Sequence, residues 1–285
     1  MKNPVIQVIH SRRIHLPKTS FAVGVLIAPA VIFITLIFIF PFFQVIVNSF
    51  FQDNHLAMEG FQKTFTLYRF DILYTIVIAL LSLLITLLIT ISIAGYLRLY
   101  QDRFLEFLFK IPLFIPFVVV GHAMRTFLAP HGTLNSLLSL IGIVNLSHSP
   151  SIVFSPAGII TALVWKNMGF ALLLIMAPFK MVSDAHLQAA QNLGAGPLRL
   201  IKDIMLPMSA SSIATSSILM FTSMLASFAI PVMMGNGQGP QMLMVDLYYR
   251  ITYLNDYRTA NVLGLISFLL SLGAAYYYVK KVLIK

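Results

Sequence analysis

The sequence predicts an all-α integral membrane protein with six transmembrane helices, and three observations lead there. Of 285 residues, 59% are hydrophobic and only 10% charged, far from the roughly 25% charge of a soluble globular chain. Mean hydropathy is +0.89. The charged residues are spaced so that long stretches carry none, which excludes a soluble enzyme, a disordered chain and a membrane β-barrel of short alternating segments. The net charge of +10 does not indicate nucleic acid, because the cations flank apolar runs and form no basic face; topology and anionic headgroups account for them. With no cysteine, disulfides, thiolate chemistry and thiolate metal sites are absent.

Each span follows from the uncharged runs. Residues 19–52 carry no charge, and 21–46 supply a first span longer than the ~20 residues a bilayer core requires. The run is too long for a signal-peptide core and no small-residue cleavage site follows, so it is read as retained. Residues 72–97 give a second span between Asp71 and Arg98. A third, about 107–128, carries Lys110 and Arg125 near its ends and is interrupted by Pro112 and Pro116. A fourth covers about 152–179 with Lys166 inside it. The uncharged run 204–245 is too long for one crossing, and the fifth span is placed at about 209–233. The last is 259–279, ending in Lys280 and Lys281.

Six spans put both termini on one side. The N-terminus, the second and fourth loops and the C-terminus hold 13 of the 19 Lys and Arg residues, which assigns that side to the cytoplasm.

The loop between spans four and five carries the most information. It reads Ser183-Asp184-Ala185-His186-Leu187-Gln188-Ala189-Ala190-Gln191-Asn192-Leu193-Gly194-Ala195-Gly196-Pro197. Asp184 is suited to cap a short helix, Ala189 and Ala190 favour that helix, and Gly194 suits a left-handed stop. Pro197 suits the first position of a second helix, on whose surface Arg199 and Lys202 then lie. Two readings fit these residues: a knob that inserts into a partner and transmits its motion, or an amphipathic connector lying on the membrane surface.

Gln188-Ala189-Ala190, Gly194-Ala195, Ile204 and Leu206-Pro207 resemble, with matching spacing, the Glu-Ala-Ala signature of permease subunits in binding-protein-dependent ATP-binding-cassette (ABC) importers. That resemblance implies a type I importer permease fold and a coupling helix docked in a cleft of the cytoplasmic ATPase, with Leu187, Gln188, Ala189, Ala190, Leu193, Gly194, Ala195, Ile204, Leu206 and Pro207 in the contact. Gln188 departs from the usual Glu, which puts in doubt any salt bridge that Glu would make. The resemblance extends over about 72–279. Arg125-Thr126, then Gly132-Thr133-Leu134-Asn135 and Leu137-Leu138, look like the outer loop of permeases for polyamines, ferric iron and phosphonates. Phe228-Ala229-Ile230-Pro231 with Gly235 resembles the end of their fifth span. The implied organisation is a cytoplasmic segment 1–20 followed by a transmembrane permease domain 21–285, with the coupling loop at about 180–206, in a bacterial cytoplasmic (inner) membrane.

No G-x-x-x-x-G-K-[ST] phosphate loop occurs, so ATP hydrolysis needs another chain. The resemblance therefore implies a separate ATPase dimer holding ATP and Mg, a second permease copy or homologue, and an extracytoplasmic solute-binding protein. The seven histidines are scattered without a His-x-x-x-His pair or clustered carboxylates, and no Gly-x-Ser-x-Gly elbow is present, so no metal or catalytic residue is expected.

Candidates for the solute path come from polar groups inside spans. Lys166 is costly there, and Ala162 and Gly169, one turn away, indicate close approach to another helix. It is expected to point into the bundle toward a water-filled path, or toward Asn167 or a hydroxyl of span five. A snorkelling lysine or a purely structural interhelical bond are the alternatives. Ser209, Ser212, Ser216, Ser223 and Ser227 recur on one helical face, either lining the route or allowing tight packing. Arg125 could meet a headgroup, the binding protein or an anionic solute. Pro231 and Gly235 allow a break after span five. The rival function is an ion-gradient-driven secondary transporter or channel, which calls for inverted repeats and paired broken helices; no duplication is visible.

Overall fold

The computed structural model describes residues 20–52, 55, 56, 58–235, 239–278 and 280. The expected segment 1–20, save Ser20, residues 236–238 and the terminal Lys281 and Lys285 lie outside the described residues. Two compact units are present, Met1–Asn48 and Ser49–Lys285. The described part of the first is an apolar helical run, α1 (Ser20–Ile34), a π-helical turn (Thr35–Ile39) and the start of α2 (Phe40–Phe50). Pro29 inside α1 is tolerated as prolines are in membrane helices.

The second unit begins with a minimal antiparallel ladder of β1 (Phe51–Gln52) and β2 (His55–Leu56), the described exception to an all-helical chain. α3 (Glu59–Tyr100) follows, 42 residues long, about twice what a bilayer core requires. Among its buried hydroxyls, Thr75, Thr86 and Thr90 each donate to the carbonyl four residues earlier, whereas those of Thr64 and Ser82 have no partner. Gln101, left-handed at φ 54°, ends the helix.

The third expected span is two helices, α4 (Arg103–Phe114) and α5 (Phe117–Phe127), bent by 104°. Pro116 explains the corner: it holds Ile115 in an extended conformation (φ −91°, ψ 126°) and has no amide to continue the ladder. The short α6 (Thr133–Leu140) lies beyond α5. α7 (Pro156–Met181) is capped by Ser155, whose Oγ accepts from the Gly158 amide, with Pro156 at the first position. α3 and α7 form the centre of the bundle, and Ala162, Leu163, Ala171, Leu172, Ile175 and Phe179 are sealed from solvent.

After α8 (Asp184–Asn192) the chain runs through α9 (Pro197–Arg199), a π-helical turn (Leu200–Met205) and α10 (Leu206–Met208), then bends by 80° into α11 (Ala210–Leu225). The π turn absorbs Pro207, since the Leu206 amide reaches back to Ile201. The fifth span is shorter than the expected 209–233. It stops at Leu225 and a separate α12 (Ala229–Met234) follows, because a continuous helix would drive the Pro231 ring against the Ser227 carbonyl. α13 (Leu243–Thr252) and α14 (Tyr257–Tyr278) complete the unit. Four described helices are long and apolar enough to span a membrane, and up to six spans result if each bent pair counts as one.

Candidate functional site

The loop singled out in the sequence folds as two helices at one end of the bundle. α8 is capped by Ser183, whose Oγ accepts from the Ala185 amide at 3.2 Å. Asp184, the expected cap, instead sits one residue inside and pairs with Arg98 of α3. Gly194 stops the helix as expected, at φ +84°. The Gly194 amide donates to Gln191 and the Ala195 amide to Ala190, the paired closure that only a left-handed residue permits cheaply.

One side of α8 is anchored and the other is bare. Leu187 is buried in a core with Leu97, Phe179, Val182 and Leu200. Gln188, Ala189, Asn192 and Gly194 are exposed, and Leu193 is 90% exposed with Leu198 beside it at 78%. Nothing lies within 4 Å of a side chain built on Gly194 or Gly196. The bare face is thus small, uncharged and tipped with leucine, a shape able to enter a partner's cleft. Ile204 and Leu206 do not join it. They pack against the core beneath α8, with Ala190 and Ala195 half-buried beside them, so these two residues fasten the second helix, while Pro207 is exposed away from that core.

Arg98 was not singled out by its sequence neighbourhood, yet it holds this end together. Its Nε donates to the Phe179 carbonyl at 3.0 Å, and its terminal nitrogen to Val182 at 2.9 Å and to Asp184. Beside it, Glu106 of α4 accepts from Lys110 at 2.6 Å and pairs with Lys180 of α7 at 3.5 Å. Arg98, Glu106, Lys180 and Asp184 line a cleft of about 360 Å³.

The candidate path residues fall at separate places. Lys166 is 7% exposed and its Nζ donates to the carbonyls of Pro112 (2.8 Å) and Ile115 (2.6 Å), with Leu113 at 3.4 Å. It also lies 4.7 Å from the Phe117 ring centre. Lys166 therefore caps the broken end of α4; neither Asn167 nor a span-five hydroxyl is its partner, and Asn167 bonds to Leu163 within its own helix. The close approach expected from Gly169 is present, for a side chain there would meet Leu113 and Lys110 backbone at 3.0–3.1 Å. Arg125, exposed at the end of α5, donates to the Met233 carbonyl at 3.3 Å and faces the Phe154 ring.

The serine row does not run the full expected length. Ser209 occupies the 80° bend and Ser227 lies beyond the end of α11. Within α11, Ser216 is buried while Ser212 and Ser223 are exposed. All three sit at the edge of the face buried by Ile213, Met220 and Met224.

The far end from α8 carries further contacts without a sequence signature. Asp71 accepts from the Gln241 amide and Thr75 from the Leu243 amide, pinning the start of α13 to α3. Asp246 in α13 is 6% exposed and its Oδ2 has no partner. Burial, with Asp71 nearby and Arg250 only partly offsetting them, pushes its carboxyl up to about 7. Asp256 accepts from Lys63 (2.6 Å), Arg250 (3.1 Å) and Thr259. Burial would raise its carboxyl, but Lys63 and the amide and hydroxyl of Thr259 hold it at about 2.

Apolar helices of spanning length, two of the candidate spans bent, with an uncharged knob standing off one end, define a membrane-embedded helical subunit. Residues 88–285 match the family described as binding-protein-dependent transport system inner membrane component, and the chain belongs to that family. It is 26% identical over 274 residues to the sulfoquinovosyl glycerol transport system permease protein SmoG of Agrobacterium fabrum, covering 90% of this chain and 88% of SmoG. It is 22% identical over 188 residues to the spermidine/putrescine transport system permease protein PotB of Salmonella typhimurium, covering 65% of this chain and 63% of PotB. Among solved structures, a bacterial ABC transporter that imports alginate aligns with TM-score 0.78 at 20% identity, over 92% of this chain and 96% of that one. The same score is reached, at 19% identity over 90% and 92%, by an alginate transporter in complex with an alginate pentasaccharide-bound periplasmic protein. The fold is that of an ABC importer permease in the bacterial inner membrane.

Proposed function

We propose that this subunit forms the solute path of an ATP-driven importer and takes its power stroke through α8. The carrying observation is the bare, uncharged face from Gln188 to Gly194, rigidly capped at both ends and rooted by Leu187. A separate cytoplasmic ATPase dimer binds ATP and Mg and receives this knob. Both termini and α8 lie on the cytoplasmic side, a second permease copy or homologue completes the path, and an extracytoplasmic binding protein delivers the solute. Closure of the ATPases displaces the two α8 knobs, and the bundles reorient as rigid bodies. ATP drives the change because it binds the closed arrangement more tightly.

The solute is small and polar or charged. The polyamine, phosphonate and iron classes expected from the outer loop are joined by the sugar derivative for which SmoG is named. Lys166 and Arg125 serve the path indirectly by holding helix breaks, whereas Ser212 and Ser223, exposed on α11, are the residues placed to face it or the second permease. To test the reading, the chain is co-purified with candidate ABC ATPases, carrying Ala189→Trp or Ala189→Asp at an exposed position of α8. Both substitutions fill or charge the bare face and abolish co-purification; unchanged assembly overturns the α8 assignment.

A further inference from the structure

We propose that Arg98 is a positioning residue for transport, locking the end of α3 to the junction between α7 and α8 so that a push on α8 turns α3 and α7 as one body. The inference rests on α8 being the surface the ATPase displaces.

The geometry supports a lock more than a tether. Arg98 comes from the last turn of α3 and its three acceptors stand 81–86 positions away in sequence. Two of them, the Phe179 and Val182 carbonyls, belong to the end of α7, where the Phe179 carbonyl otherwise accepts from the Val182 amide at 3.3 Å. The third, the Asp184 carboxylate, is the first residue of α8. One planar guanidinium thus spans the end of one helix, the start of the next and the connection between them. A lysine offers a point charge and cannot present this fork.

The surroundings show which part of the contact is stiff. The Arg98 side chain is only 13% exposed while Asp184 is 73% exposed, so the ion pair alone is screened and weak. The carbonyl bonds are sheltered, and directly beneath them Leu97, Val182 and Leu187 share one apolar core. Glu106 and Lys180 pair beside the lock and do not compete for Arg98. The carbonyl bonds fasten α3 to the end of α7, and across the Val182–Ser183 linker the Asp184 bond together with Leu187 in the shared core carries the lock into α8.

The absence of cysteine allows unique spin labels to be placed in the full chain in nanodiscs. One label goes on α8 (Asn192→Cys) and one on the exposed flank of α3 (Leu88→Cys), and the inter-label distance distribution is read with and without the ATPase partner and ATP. The unaltered background gives one narrow distribution. Arg98→Gln at least doubles its width, Arg98→Lys does not restore it, and Asp184→Asn, which spares both carbonyl bonds, broadens it less. With ATPase bound, ATP shifts a second pair that reaches from α3 to α6 (Leu88→Cys with Leu140→Cys) in the background, and that shift is lost in Arg98→Gln although the ATPase still co-purifies. A narrow distribution and a retained ATP-driven shift in Arg98→Gln overturn the lock. If Arg98→Gln does not fold, Asp184→Asn decides alone, and an unchanged width there counts against the proposal. Failure of the ATPase to bind even the unaltered chain overturns the coupling reading itself, and the lock with it.

Discussion

Lys166 of α7 donates a 2.6 Å hydrogen bond to the carbonyl of Ile115, the residue at which α4 ends and the chain turns by 104° into α5. Pro116 cannot donate to the Pro112 carbonyl as a continuous helix would require, and Lys166 donates there and to the Ile115 carbonyl freed at the turn. Replacing it by methionine keeps length and packing but leaves the Ile115 carbonyl without its donor and the Pro112 carbonyl with only the 3.4 Å bond from the Ile115 amide. Hydrogen bonds from charged donors are worth about 1.5–3 kcal/mol each, so Lys166→Met loses about 2 kcal/mol or more of stability. Trp165, the single tryptophan of the chain, lies next to the site and lines the same groove as Ile115. Its emission reports the loss in thermal unfolding, and an unchanged midpoint contradicts the capping role.

The two carboxyls near α13, outside the spans, drive stability in opposite directions with pH. Asp246 has a folded value raised from 3.8 to about 7, so it binds its proton more tightly folded than unfolded. Its contribution is present below pH 3.8 and is lost as pH rises toward 7. Asp256 is lowered from 3.8 to about 2; its contribution is present above pH 3.8 and is lost as pH falls toward 2. Asp246→Asn therefore removes the decline between pH 4 and 7 and gains most over the parent at pH 8. A thermal-melting series in nanodiscs from pH 5 to 8.5 checks this, and parallel curves for parent and variant exclude a buried, proton-holding Asp246.

What could be read from sequence followed the range of the interactions. The α8 closure at Gly194 and the start at Pro197 obey rules that act within one or two turns, and both stand where they were expected. The cap moved by one residue because Ser183 and Asp184 are both good caps, and only the distant Arg98 decides between them by engaging Asp184. The break at Pro116 was marked by the proline, but its angle is fixed by how α4 lies on Gly169 and Lys166. Lys166 was visible as a buried cation needing a partner, though its partners are backbone groups freed some 50 positions away. Arg98 looked like one of the topology cations because two of its three acceptors are carbonyls, which carry no residue signature, and the third, Asp184, is 86 positions away.

Gly132 and Asn135 organise the loop after α5, and their substitution tests that organisation. Gly132 has an ordinary extended backbone (φ −79°, ψ 175°), so its need is space. A Cβ there would sit 2.4 Å from the Thr126 carbonyl, 2.7 Å from that of Phe127 and 2.9 Å from the Ala129 amide, all backbone atoms that cannot swing away. Close by, the Asn135 Nδ2 donates to the carbonyls of Ala129, Pro130 and Pro150 at 3.0–3.1 Å, drawing three turns of loop around one amide that is 1% exposed. Gly132→Ala forces the α5–α6 connection apart at a cost of about 1–3 kcal/mol. Asn135→Asp turns the donor into an acceptor facing three carbonyls and costs about 2 kcal/mol or more. Hydrogen exchange followed by mass spectrometry on the chain in nanodiscs locates the effect: protection falls in peptides covering 126–136 and 148–153, while α8 and its cap at Gly194 keep theirs. Uniform loss across the bundle, or none in the loop, contradicts a locally organised turn held by these two residues.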